Sequence, residues 1–138
     1  MKPFAFIALA ALLAVGCQRS LEDQAARELA DYSARHCPLA YSESLRLDSC
    51  RFERVSRTLH YFYTISGNLD SDSMIAVYRE QLQNDLRQAV INEPSTMSYK
   101  QAGFLFKYSY FSTVCPGTLL FESTFDEKDY GPSQRQKQ

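Results

Sequence analysis

The chain has 138 residues, and its 15 Lys and Arg residues nearly balance its 16 Asp and Glu residues, giving a formal net charge of −1. Apolar residues make up 45% of it, and their excess over a globular composition lies in the first sixteen positions. The charge balance excludes a strongly basic nucleic-acid-binding protein and an acidic disordered tail. After those positions no stretch approaches the ~20 apolar residues of a membrane span, so we expect no transmembrane helix in the remaining chain.

The N-terminus has the pattern of a secretory signal peptide. Lys2 provides a positive charge, and residues 4–15 form an apolar run that is too short to span a bilayer as a helix. Residues 13–17, Leu-Ala-Val-Gly-Cys, resemble the bacterial lipobox, in which a small residue precedes an invariant cysteine. The resemblance implies cleavage of residues 1–16, a diacylglycerol on the Cys17 sulfur and acylation of the new amine. The alternative is an ordinary signal peptide in which Cys17 is incidental.

Acylation of Cys17 makes the membrane the first expected partner. Each buried CH₂ contributes ~0.8 kcal/mol, so three acyl chains hold a protein stably on a bilayer. Gln18 follows the cysteine, where Asp would favour the inner membrane, so analogy with enteric sorting favours the outer membrane. We therefore expect a lipid-anchored protein of the bacterial cell envelope.

A helix and two strands are predicted next. Ser20 is a candidate N-cap, and Pro38 ends the helix because proline disfavours helical geometry in the residue before it. The apolar stripe of this helix is Leu21, Ala25, Leu29 and Tyr32. Strands follow over residues 46–55 and 58–66, and the second one places Leu59, Tyr61, Tyr63 and Ile65 on one face and His60, Phe62 and Thr64 on the other.

A second helix and two further strands complete the pattern. Ser71 or Asp72 caps a helix that runs to Ile91, and residues 95–102 add a turn or two before Gly103 closes them in the left-handed conformation. Strands over 104–111 and 118–125 flank Pro116-Gly117, which fits a type II turn. The order predicts an α+β domain over residues 17–130, with an antiparallel four-stranded sheet and helices packed on one face. Residues 131–138 form a flexible polar tail.

The cysteines left after Cys17 can form one disulfide in three ways. Export past the inner membrane permits a disulfide. Cys50 alternates with core residues of its strand, so Cys37 and Cys115 are the preferred pair. A thiol enzyme that uses Cys37 or Cys50 is the alternative.

Aromatic residues are the candidate binding determinants. Phe62, Leu105 and Phe111 fall on the face of the predicted sheet opposite the helices, where a contiguous apolar patch would mark a binding surface. The competing interpretation is that another layer, the N-terminal helix or a second copy covers them. No nucleotide-binding, esterase or metalloprotease motif occurs, so we predict no catalytic residue, no metal and no cofactor.

The mature chain resembles a group of small, uncharacterised bacterial lipoproteins. The matching stretches are Cys37-Pro38, residues 45–49, 59–65, 103–110 and 125–130. A more distant likeness, in size, anchor and layout, is to pilotin lipoproteins, which chaperone secretion-system subunits to the outer membrane. The group carries no known activity, so these resemblances imply a fold and a location only. From the sequence as a whole we predict a non-enzymatic module that binds an envelope protein, and its charge balance excludes nucleic acid as a partner. The alternative is a small envelope hydrolase or thiol-redox enzyme.

Overall fold

The computed structural model describes residues 20–131. Its elements are α1 (Leu21–His36), β1 (Leu39–Ala40), β2 (Leu45–Glu53), β3 (Thr58–Ile65), α2 (Asp72–Asn92), α3 (Met97–Gln101), β4 (Leu105–Ser112), β5 (Leu119–Phe125) and α4 (Glu127–Tyr130). Within that range, no helix is long and apolar enough to cross a membrane. The predicted signal peptide, Cys17 and residues 132–138 of the predicted tail lie outside the described residues.

Side-chain caps set the starts of the two long helices. The Ser20 hydroxyl accepts a hydrogen bond from the Asp23 amide at 3.1 Å, and the Ser71 hydroxyl accepts one from the Met74 amide at 3.2 Å. Each cap satisfies one amide that the first helical turn leaves without a backbone partner. The predicted N-caps are confirmed, and α1 ends one residue before Cys37.

The five strands form one mixed sheet in the order β1-β2-β3-β4-β5. All neighbours are antiparallel except β3 and β4, which are parallel. The α+β class is confirmed, but the predicted four-stranded antiparallel sheet is wrong. The chain crosses from β3 to β4 through α2 and α3, and a helical crossover brings the next strand back in the same direction. The extra strand, β1, has two residues and is too short to show a pattern in the sequence.

One face of the sheet carries the core and all four helices. A β-bulge between Leu47 and Ser49 shifts the alternation of β2, so that Leu47 and Cys50 both point to this face. The buried aromatic and aliphatic residues of the core come from helices and strands alike: Ala25, Leu29, Leu59, Ile75, Val90, Tyr99, Phe104, Phe106, Tyr108, Phe121, Phe125 and Tyr130.

The short helix α4 closes one end of this core. Asp126 and Asp129 form a reciprocal capping box at its start, and the Tyr130 hydroxyl donates a hydrogen bond to the Phe104 carbonyl at 2.7 Å. Helix α4 is therefore part of the packed core. At the two predicted turn glycines the backbone is left-handed, with φ of +77° at Gly103 and +86° at Gly117.

Candidate functional site

The helices leave the middle of the core face open. Helix α1 packs against β2 at one side of the sheet, and α2 packs against β5 at the other. Between them lie side chains of the central strands β3 and β4. Tyr61 and Tyr63 of β3 are only half-buried there, although their neighbours Leu59 and Ile65 are fully covered. The result is a groove whose floor is a row of tyrosines.

Two cavities make up this groove. The first has a volume of about 270 Å³ and lies beside α1, where its lining includes Glu28, Leu29, Tyr32, Tyr41, Cys50, Tyr61, Tyr63, Glu93 and Tyr99. The second has a volume of about 370 Å³ and lies beside α2, where its lining includes Leu45, Ile65, Leu69, Ile75, Tyr78, Leu82, Asp85 and Tyr110. Both volumes are large enough to receive several side chains of a partner.

Stacked tyrosine rings connect the two cavities. Tyr63 lines the first and Tyr110 lines the second, and their ring centroids are 4.7 Å apart with planes inclined by 9°. Tyr61 stacks on Tyr108 in the same way at 5.1 Å. These pairs join β3 to β4, so the floor of the groove is fixed by ring stacking across the parallel pair.

The floor offers the hydroxyls of Tyr61, Tyr63 and Tyr110 as hydrogen-bond donors, while Tyr108 lines neither cavity. Burial raises the pKa of Tyr61, Tyr63, Tyr108 and Tyr110 well above the ordinary value, so all four phenols are neutral at physiological pH. No hydrogen bond within residues 20–131 engages these hydroxyls, whereas the Tyr99 hydroxyl donates to Glu28 Oε2 at 2.5 Å. A tyrosine row of this kind combines apolar contact area with free polar groups, which suits recognition of another molecule.

The charges around the groove have one sign. Its two cavity linings contain the carboxylates of Glu28, Glu93 and Asp85 and include no Lys, Arg or His. Hydrogen bonds from the hydroxyl and amide of Ser95 lower the pKa of Glu93 below its ordinary value, so this carboxylate stays ionised. The groove therefore favours a ligand that has both apolar groups and positive charge.

The predicted binding residues lie on the opposite face of the sheet. Phe62, Leu105 and Phe111 are all half-buried there. By register, Phe62 pairs with Ser109, Thr58 pairs with Leu105, and Thr64 pairs with Phe111. Polar side chains of His60 and Lys107 lie between Leu105 and Phe62, so the three apolar residues do not form one continuous patch.

A chain of polar contacts crosses this open face from β2 to β5. His60 Nδ1 lies 2.8 Å from Glu53 Oε1, and His60 Nε2 lies 2.7 Å from the Ser109 hydroxyl. The same hydroxyl lies 2.7 Å from Glu122 Oε2, and Lys107 Nζ lies 3.3 Å from Glu122 Oε1. Ser109 has one hydrogen, so both of its contacts are hydrogen bonds only when His60 Nε2 also carries a proton.

In this row of contacts an acid, a histidine and a serine follow one another as they do in a catalytic triad. Unlike the serine of a triad, however, Ser109 is not accessible. Ser109 is 1% exposed and His60 is 5% exposed, so a substrate cannot reach the serine oxygen. The imidazole is covered by the ring of Phe62, whose centroid lies 3.9 Å away. Burial lowers the pKa of His60, against the opposing effect of the Glu53 carboxylate. The arrangement ties five residues of the sheet together and is structural.

Cys37, Cys50 and Cys115 are not joined by a disulfide in this structure. Cys37 is half-buried after α1, Cys50 lies in the core, and exposed Cys115 lies in the loop between β4 and β5. The Cys37–Cys115 disulfide stays a prediction. Burial raises the pKa of Cys37 and raises that of Cys50 to about 11, so neither thiol is activated as a nucleophile. Among the described residues there is also no group of three potential metal ligands.

Comparison with known proteins places the chain in a family. A model for a domain of unknown function, DUF8479, matches residues 20–121. The chain belongs to this family. The match begins at the N-cap of α1 and includes every residue that lines the two cavities of this DUF8479 domain. A search of curated proteins finds no match.

Two solved structures share the fold of this DUF8479 domain. A protein from Pseudomonas aeruginosa, provisionally described as secreted, has 14% sequence identity and a TM-score of 0.63, and the match covers 81% of this chain and 98% of that one. The pilotin of the Vibrio vulnificus type 2 secretion system has 13% identity and a TM-score of 0.62, with 80% and 92% covered. At these identities the likeness shows the fold alone. The predicted fold-level likeness to a pilotin is therefore confirmed.

Proposed function

We propose that this DUF8479 domain is an envelope protein that binds another protein through the groove between α1 and α2. The observation that carries the proposal is the tyrosine floor, open between the two helices, with hydroxyls that no group of the described chain engages. Concave apolar sites with a few convergent polar groups are the usual places where proteins bind ligands. No activated nucleophile lies in the groove, so we propose binding as its function.

The chemistry of the lining specifies the partner segment. The linings have three carboxylates and no Lys or Arg, which favours a segment that carries Lys or Arg, and the tyrosine floor favours one with apolar side chains. Two of the recurring modes of peptide recognition place apolar side chains of a short segment into such a groove. By analogy with the fold of the Vibrio vulnificus pilotin, we propose that the segment belongs to a protein of an envelope secretion machinery.

We also propose that Cys17 is acylated and that the lipid holds the protein on the envelope, at the outer membrane. The signal-peptide pattern before Cys17 supports this location, and so does the fold shared with a pilotin. Metabolic labelling with a palmitate analogue, followed by fractionation of the membranes, tests the anchor. Label on the natural protein and none on Cys17→Ser supports it, and equal label on both contradicts it.

The open face with Phe62, Leu105 and Phe111 is the second candidate surface for the partner. It has half-buried apolar rings, but its polar groups are engaged with one another. The thiol-enzyme alternative has less support, because burial raises the pKa values of Cys37 and Cys50. Titration of the native protein with a thiol reagent tests it, and a fast reaction of either residue would revive it.

Photocrosslinking in living cells distinguishes the two surfaces. A photoreactive phenylalanine analogue replaces Tyr32 or Tyr78, which are partly exposed and line different cavities. The same analogue at Phe62 samples the open face. We expect both groove positions to yield one common adduct, whose crosslinked peptide contains apolar and basic residues. Adducts from Phe62 alone would move the site to the open face and contradict the proposal.

A charge reversal on the rim supplies the matched control. Asp85 and Asp31 are both exposed helical carboxylates, but only Asp85 lines a cavity of the groove. We expect Asp85→Lys to reduce the yield of the common adduct several-fold, because like charges would then face each other. Asp31→Lys should leave the yield unchanged, and an equal loss in both variants would contradict a role for the groove charges.

A further inference from the structure

One end of the molecule combines the start of α1 with the turn between β2 and β3. Arg54 Nη1 lies 2.7 Å from Asp23 Oδ1, and Arg57 Nε lies 3.1 Å from Glu22 Oε1. Glu22 and Asp23 belong to the first turn of α1. These two ion pairs hold the β2–β3 turn, residues 54–57, beside the N-terminus of the helix.

Val55 projects from this turn. Its relative exposure of 105% is the highest of any large apolar side chain in residues 20–131. The guanidinium groups of Arg54 and Arg57 flank it, and each is also about half exposed. A guanidinium has five N–H donors, so one contact to a carboxylate leaves donors that can reach a phosphate. An exposed apolar side chain between arginines matches the boundary between the acyl chains and headgroups of a phospholipid bilayer.

The length of chain before α1 places this turn close to a membrane. Only three residue steps separate Cys17 from Ser20, the N-cap of α1. At ~3.6 Å per residue they span at most ~11 Å. An acylated Cys17 would therefore keep the first turn of α1, and the β2–β3 turn paired with it, at the level of the headgroups.

We infer that the β2–β3 turn is a membrane-contacting tip, in which Val55 enters the lipid surface and Arg54 and Arg57 bind lipid phosphates. The inference rests on the proposed acylation of Cys17. It also sets an orientation, because β3 begins at Thr58 next to the tip and ends at Ile65. The groove then extends away from the membrane, with the cavity beside Tyr61 nearer to it than the cavity beside Ile65.

Tryptophan fluorescence tests the tip. The chain has no tryptophan, so Val55→Trp introduces a single reporter at a fully exposed site. Val114→Trp is the matched control, because Val114 is also well exposed but adjoins the other end of β3, where the Thr113 amide donates to the Ile65 carbonyl at 3.1 Å. The acylated proteins, purified from bacterial envelopes, are reconstituted on vesicles of phosphatidylethanolamine and phosphatidylglycerol.

We expect both variants to float with the vesicles, and only the tryptophan at position 55 to show a blue-shifted emission that brominated lipids quench. If both proteins float and the emission at position 55 stays that of a water-exposed tryptophan, the proposed membrane contact of the turn is wrong, while the proposed lipid anchor is supported. A shift at both positions would also overturn it, since contact would not be specific to the turn. If neither protein floats, the anchor itself fails and the tip fails with it.

Discussion

The core face and the open face of the sheet are made by alternate residues of the same strands, yet their polar groups differ in one respect. On the core face, the hydroxyls of Tyr61 and Tyr63 have no partner among the described residues and point toward a groove. On the open face, His60 and Ser109 bond to each other and to two carboxylates. Polar groups that satisfy one another add stability, whereas unengaged groups beside a cavity are available to a ligand.

Whether the polar side chains of a face are bonded to one another distinguishes a structural face from a binding face more clearly than the number of apolar residues on it does. Phe62 and Phe111 are as aromatic as the groove tyrosines, but the polar groups on their face bond to one another and not to a ligand. We therefore expect substitutions in the core and in the polar chain to change folding stability, and substitutions in the groove to change binding. The following predictions test that division, starting with the largest effect.

Phe106→Ala should have the largest effect. Phe106 is 1% exposed and contacts Tyr130 edge to face, with ring centroids 5.7 Å apart. Loss of the buried ring and the cavity left behind should lower the free energy of unfolding by about 3–5 kcal/mol. Urea denaturation followed by circular dichroism measures it, and a loss below about 1 kcal/mol would show that the core can collapse around the site.

Ser109→Ala should lower the free energy of unfolding by less than Phe106→Ala does, but by more than an ordinary surface substitution. It leaves His60 Nε2 and Glu122 Oε2 without the hydroxyl that joins them, and a buried group without a partner costs about 1–3 kcal/mol. Ser123→Ala, also buried in the sheet but on the core face, is the control. Equal losses of stability in the two variants would contradict the role of the polar chain.

Asp70→Asn should change folding stability in a pH-dependent way. Asp70 lies at the end of the sheet where its carboxylate accepts hydrogen bonds from the Thr113 and Val114 amides. Hydrogen bonds from the Ser112 hydroxyl and from the amides of Val114 and Thr113 lower the pKa of Asp70 below its ordinary value of 3.8. A lowered pKa in the folded state contributes stability above that ordinary value and loses it as the pH falls through the folded-state pKa. The natural protein should exceed the variant in stability at about pH 7, and the difference should shrink toward about pH 3.

Tyr63→Phe should have the smallest effect on stability and a clear effect on binding. The ring stack on Tyr110 is kept and only a hydroxyl is removed, so the free energy of unfolding should change by less than about 0.5 kcal/mol. The yield of the adduct formed from position 32 should fall, because the partner loses a hydrogen bond. A variant that loses stability but keeps its adduct would place Tyr63 among the structural residues.

Local elements were accessible from the sequence because their signals are local. Strict alternation predicts β3 to within one residue, and Ser20 and Pro38 bound α1 correctly. The parallel pairing of β3 and β4 is not a local property, since it depends on where α2 and α3 return the chain. The bulge after Leu47 likewise depends on how β2 pairs, although it explains why Leu47 and Cys50 share a face despite their spacing.

The groove could not be predicted from periodicity, because the pattern shows which residues face the helices but not whether a helix covers them. One signal was present. Tyr61, Tyr63, Tyr108 and Tyr110 stand at core-facing positions where phenylalanine would suffice in a fully closed core. Buried tyrosines place their hydroxyl where a polar partner can reach it, so a row of them indicates an opening. The open face was predicted as a candidate site because alternation places Phe62, Leu105 and Phe111 on it. Its polar contacts could not be predicted, because they join Glu53, His60, Ser109 and Glu122, which are distant in sequence.

The parallel pairing of β3 with β4 has a consequence for motion. It is the only strand pairing in the described sheet that joins the part of the chain before α2 to the part after it. The stacked rings of Tyr63 and Tyr110 lie directly over this pairing of β3 with β4. A ligand in the groove would bridge the two segments and hold them together, so backbone amides of β3 and β4 should exchange their hydrogens for deuterium more slowly when the groove is filled. Protection confined to β3 and β4 would place the ligand in the groove.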